Sequence, residues 1–199
     1  MGMLSAVTRD RRVARRILTL VSLGLGVASI SAASFSLAVF TSSATVASNA
    51  FTTGTVVIGA SPASALIGYT DMLPGDSVTS ALTVSNTGTG QLRYALTSSA
   101  TNADTKGLKD QLQIVVKTKD TNTAGCANFN GTQLYSGALG SASFGNVAQG
   151  ADTGDRVLDA ATNEVLCFQA TLPPSTGNAF QGAATTATFT LSAEQTAHN

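Results

Sequence analysis

The chain reads as all-β: an antiparallel β-sandwich of jelly-roll or immunoglobulin-like type, behind an N-terminal signal peptide. Three observations predict this. Apolar residues alternate with Ser and Thr in several separate runs, strong turn chemistry divides the runs, and helical periodicity is scarce. A half-buried strand sends alternate side chains to opposite faces, so its sequence alternates in the same way.

The elements follow in order. Val56 and Ile58 open the series as a short strand, and "ALIGY" at residues 65–69 is a further candidate. Pro74-Gly75-Asp76 is a turn, since Pro presets one backbone angle and Gly frees another. Val78, Ser80, Leu82 and Val84 then share one face, with Thr79, Ala81, Thr83 and Ser85 opposite. Asn86-Thr87-Gly88-Thr89-Gly90 breaks the run. Leu92, Tyr94 and Leu96 resume it, with Arg93 and Thr97 facing outward. The pair is a hairpin. Residues 104–111 suit one short helical turn. Leu112, Ile114 and Val116 share a face against Gln113 and Lys117, and Leu134 and Tyr135 mark a weaker strand. Leu166, Phe168, Ala170 and Leu172 form another face, ending at Pro173-Pro174. Ala187, Phe189, Leu191 and Ala193 form the last, opposite Thr186, Thr188, Thr190 and Ser192. About seven short strands punctuated by turns predict a sandwich. The apolar positions keep register, which a disordered chain has no reason to do.

The first forty residues read as an address. Arg9, Arg11, Arg12, Arg15 and Arg16 precede the apolar run "ILTLVSLGLGVASI", and small residues follow. This order is that of a secretory signal. Ser36-Leu37-Ala38 fits the cleavage rule, so cleavage is expected between Ala38 and Val39, with Ser31-Ala32-Ala33 and Ser48-Asn49-Ala50 as alternatives. An uncleaved anchor is the competing reading, but the run falls short of the ~20 residues a bilayer needs. Arg15-Arg16 leaves both the general and the twin-arginine export routes open. The expected organisation is residues 1–38 signal peptide, 39–54 a polar arm, and 55–199 the sandwich.

From Val39 onward there are six bases and ten acids. Six scattered bases make a poor nucleic-acid binder, because phosphate contacts need clustered Lys and Arg. Cys126 and Cys167 are the chain's two cysteines. An even count in an exported chain is expected to be a disulfide. Two buried thiols or a metal pair are the alternatives, and the pair lacks the companion ligands that zinc needs.

Catalytic chemistry finds little material. A Ser or Thr nucleophile needs a base and a group to orient it, and the single histidine is His198. Asp152, Asp155 and Asp159 cluster in sequence. They read as a solvated turn, with a surface calcium site as the sharper alternative. No other cofactor is expected.

The arm "VFTSSATVASNAFTTG", residues 39–54, is small and polar with no firm period. It reads either as a flexible start or as a strand that pairs only with a partner. Phe40, Val46 and Phe51 are its larger apolar side chains. At this point the chain resembles the TasA/camelysin family of bacterial secreted proteins. The resemblance rests on Ala38, Phe40, Phe51, Gly54-Thr55 and Val56–Ile58, on the Pro-Gly-Asp hairpin with its Asn-x-Gly break, and on the segment from Leu166 to the end. It implies a jelly-roll-like sandwich, export through a dedicated signal peptidase, and fibres of the biofilm matrix or cell surface. It also implies that the arm inserts into a neighbouring copy or a related matrix protein. The family carries a metallopeptidase label, yet no His-Glu-x-x-His or equivalent ligand set is present. The expectation is therefore a non-enzymatic structural protein. A cell-surface metalloendopeptidase and a monomeric surface-binding β-module are the rivals.

Overall fold

The computed structural model describes residues 50–123 and 125–197. Among the described residues, nine strands form two antiparallel sheets. The strands are β1 (Ile58–Ser61), β2 (Ser77–Asn86), β3 (Leu92–Ala100), β4 (Gln113–Thr118), β5 (Gln133–Ala138), β6 (Ser143–Phe144), β7 (Arg156–Leu158), β8 (Asn163–Thr171) and β9 (Ala187–Gln195). One sheet has the order β1-β2-β8-β4-β5. In the other, β3 pairs along its length with β9, and with β6 and β7 on its opposite edge. The all-β expectation holds: the described helices are single turns, α1 (Leu108–Gln111) and two short 3-10 turns. No helix among the described residues is long and apolar enough to cross a membrane.

The alternation explains the packing. Leu82 and Val84 of β2, Leu92, Tyr94 and Leu96 of β3, Ile114 and Val116 of β4, and Leu166 and Phe168 of β8 point inward and are buried. They form one core with Leu112, Leu139, Phe144, Leu158, Ala170 and Leu172. Tyr94 stacks edge-on against Phe144, and Phe168 against Phe189. Such pairs add about 0.5–1.5 kcal/mol beyond the area they bury. Every described core residue lies within Phe51–Asn199, which forms a compact unit of its own.

Some expectations need correction. Residues 65–69 are irregular loop rather than strand, and β1 starts at Ile58. The helical turn expected over residues 104–111 is confined to Leu108–Gln111. Arg93 is buried, at 8% exposure, rather than outward-facing and solvated. The cause is distant in sequence: residues 145–155 cover this face of β3. Gly145 lies against Ala95, Gly150 N–H donates to Glu194 (2.9 Å), and Arg93 sits 3.6 Å from Glu194. Arg93 also donates to the Thr196 carbonyl at 2.9 Å.

The Asn86–Gly90 break is built around a side chain. Asn86 is buried, and its amide donates to the carbonyls of Gly90, Leu158 and Asp159 at 2.9–3.1 Å. Its oxygen accepts from Gly88 N–H. Gly88 is required because a Cβ there would overlap the Thr55 carbonyl. Thr55 and Val57 dock on this turn through bonds from Thr87, Thr89 and Gly90. The segment leading into β1 is thereby fixed at this pole of the sandwich.

Candidate functional site

Among the described residues, β9 is paired on one edge only. Its pairing with β3 fixes which backbone groups are used. Thr101 N–H bonds to Thr186 O, and Thr196 N–H to Gln91 O. In an antiparallel ladder hydrogen-bonded pairs recur at every second residue. Thr188, Thr190, Ser192 and Glu194 therefore bond to β3, and Ala187, Phe189, Leu191 and Ala193 aim their N–H and C=O groups away from it. Among the described residues, none of these four backbones has a partner on that side. The same four residues turn their side chains toward the core.

Beneath this free edge the sandwich is open. A cavity of about 570 Å³ lies between Phe189 and Leu191 of β9 and Val78, Leu82 and Ala170 of the facing sheet. Leu66, Ile67 and Met72, from the loop joining β1 to β2, reach into its mouth. An apolar seam flanked by an unpaired edge is a template for an added strand.

The seam opens toward the pole marked by Thr185, Thr186 and the 62–72 loop, the end at which β2 begins. The chain enters the domain at the opposite pole, where Thr55 is bonded to Thr89. Phe51 precedes that anchor and is 94% exposed. The rest of the arm, Phe40 and Val46 included, lies outside the described residues, as does the Ala38–Val39 cleavage pair.

The other polar clusters bind one another. Tyr94 donates to Glu164 at 2.6 Å, and Arg156 grips the same carboxylate through Nε (2.9 Å) and NH2. Burial, followed by the Glu164 hydrogen bond and charge, pushes the Tyr94 hydroxyl far up, so it stays a neutral donor. The Glu164 hydrogen bond raises Arg156 against the opposing effect of burial. Asp120 is buried, at 1% exposure, and anchors the loop of residues 120–130. Burial pushes its carboxyl up, but bonds from Asn128 and Asn130 N–H and the Thr123 hydroxyl together outweigh this and lower it. Cys126 of the same loop forms a disulfide with Cys167 at the centre of β8, with Cα atoms 5.4 Å apart. Sequence reasoning missed Asp120, Glu164 and Arg156; their spacing carries no signal.

Asp152 and Asp155 share one turn, in which Asp155 accepts from Asp152 and Asn146 N–H. These bonds lower the Asp155 carboxyl. Asp159 lies apart and accepts from Gln91. Among the described residues no three His, Cys, Asp or Glu side chains gather as a metal site. His198 lies outside them.

A family model described as camelysin metallo-endopeptidase matches residues 11–126, more than half of the chain. The chain belongs to the camelysin family. The family name implies a catalytic metal, usually held by three protein ligands and an open position. The donors present do not fit: the chain has one histidine, both cysteines are oxidised, and no three described His, Cys, Asp or Glu side chains gather in one place. Comparison with curated proteins gives no match. Among solved structures, an ASH/PapD-like domain of human CEP192 (PapD-like domain 7) aligns with 80% of this camelysin-family chain and 99% of that domain. It does so at 14% identity and a TM-score of 0.28, too low to support an argument.

Proposed function

We propose that this camelysin-family protein is a structural subunit that polymerises at the cell surface or in the extracellular matrix. Residues 39–54 of one copy pair with the free edge of β9 in the next copy, or in a related matrix protein. The observation that carries this reading is the inward-apolar, unpaired edge of β9 above an open cavity. The lengths agree. β9 has nine residues and spans about 30 Å, and residues 39–49 reach about 35 Å when extended. The arm's Ala, Ser, Thr and Val side chains are small enough for a narrow seam. Its exit at the pole opposite the seam's mouth favours a head-to-tail contact, which grows without closing. The signal-like first 38 residues support export, with signal peptidase as the processing partner.

Removing residues 39–50 tests the proposal. The shortened protein should remain a folded monomer, while the protein carrying the arm forms filaments under electron microscopy. Filaments from the shortened protein would overturn it. The family description favours a second reading, a metallo-endopeptidase. Stoichiometric zinc with chelator-sensitive peptide cleavage would establish that reading.

A further inference from the structure

The seam is not empty of chain. Residues 62–72 lie across its mouth and insert Leu66, Ile67 and Met72 against the core. Yet among the described residues no backbone N–H or C=O of residues 62–72 has a hydrogen-bond partner. Two non-glycine residues in the segment, Ala65 and Asp71, sit at positive φ, 51° and 57°. That region is disfavoured for side-chain-bearing residues, and for Ala in particular. The packing is incomplete, because the 570 Å³ cavity persists beneath the three apolar side chains. The ends of the segment, by contrast, are fixed. Ser61 is paired with Thr83 in β1. Downstream, Asp76 accepts from Leu73 N–H (2.9 Å) and Tyr69 hydroxyl (3.2 Å), and Gly75 N–H donates to Leu172 O (2.8 Å).

We infer that residues 62–72 are a built-in plug: a weakly held occupant that covers the seam in the free subunit and swings out when residues 39–50 of a second copy enter. The inference rests on the strand-addition reading and adds its regulation. A strand added to β9 gains backbone hydrogen bonds that the plug never makes, so exchange of one for the other is downhill. The plug meanwhile partly covers Phe189 and Leu191 and guards the seam against premature pairing. Such a segment belongs to the low-stability end of a fold, held by few contacts and no ladder. Its two fixed ends would act as hinges.

The test uses the domain of residues 51–199, which contains its whole core, and a synthetic peptide of residues 39–50. The chain has no Trp, so Leu66→Trp, or Ile67→Trp should the first misfold, gives a single emission reporter in the plug. Hydrogen exchange at the β9 amides reports peptide binding independently. The expected result is blue-shifted emission in the free domain, which moves to the red as peptide protects β9. Met72→Ser in the reporter background should tighten peptide binding about tenfold, because a larger fraction of the domain is then open. Protection of β9 with emission left blue, or affinity unchanged by Met72→Ser, overturns the plug and leaves strand addition standing. A peptide that protects β9 in no variant overturns both.

Discussion

The loops of residues 120–130 and 62–72 are equal in length and held in opposite ways. The first is built around the buried Asp120 carboxylate, which accepts from three donors, and it is joined covalently to β8 by Cys126–Cys167. The second has no backbone hydrogen bond among the described residues, and three half-buried apolar side chains hold it over a partly empty seam. Each caps a different part of the same sandwich. A loop that only closes a fold gains from fixed bonds. A loop that must yield to an incoming strand has to be covered by contacts that can be exchanged. The difference separates a permanent flank from a replaceable one.

The strongest way to break the fixed flank is to remove its crosslink. Cys126→Ala with Cys167→Ala should lower stability by about 3–4 kcal/mol, since the bridge closes a loop between residues 41 apart. Chemical denaturation of the oxidised protein against the variant measures this. Removal should leave assembly by the seam intact.

The edge of β9 allows a finer contrast. Ser192→Pro removes an N–H that bonds to β3, leaves its acceptor unpaired, and should cost about 1–3 kcal/mol. Ala193→Pro removes an N–H on the free edge, where proline is tolerated. It should cost clearly less, yet abolish filament growth. Thermal unfolding and light scattering on both variants read the two effects separately.

Glu164→Gln leaves Arg156 and Tyr94 without their shared acceptor charge and should cost about 2 kcal/mol. It does not line the seam beneath β9, so loss of stability without loss of assembly is the expected outcome in denaturation and filament assays.

The acid response should include two bonded aspartates, one in the fixed flank and one in the segment of residues 145–155. The carboxyls of Asp120 and Asp155 are lowered from the usual 3.8. The unfolded chain therefore binds protons first as pH falls. Their contribution is fully present above about pH 4 and is lost as pH drops below it through the folded values. A denaturation series from pH 6 to pH 2 should show this loss, and Asp120→Asn should reduce the slope.

The smallest effect concerns the arm's exit. Gly88→Val would displace Thr55 from its turn. Assembly kinetics should slow and the midpoint of unfolding should fall modestly, because the added side chain meets the Thr55 and Val57 backbone at a buried position.

Legibility in the sequence followed the physics of each element. The runs around Leu82–Val84, Leu92–Leu96, Leu166–Phe168 and Phe189–Leu191 were readable because a one-residue slip would expose every apolar side chain. β6 and β7 were not, since two or three residues cannot display a period. Arg93 was misplaced because a charge in an alternating run implies solvent, and its cover comes from residues 145–155, remote in the chain. Residues 65–69 looked like a strand because Leu66 and Ile67 are apolar, yet they pack against the core without a ladder. The arm's composition admits either a flexible start or a strand that pairs with a partner, and the free edge proposed to receive it was not visible. β9 alternates in the same way whether or not its far edge has a neighbour.

Hydrogen exchange at Ala187, Phe189, Leu191 and Ala193 bears most directly on the central claim. Their amides should exchange freely in dilute monomer and become protected together when the arm-bearing protein polymerises. Filaments in which these four amides still exchange as fast as in the monomer would show that subunits join elsewhere.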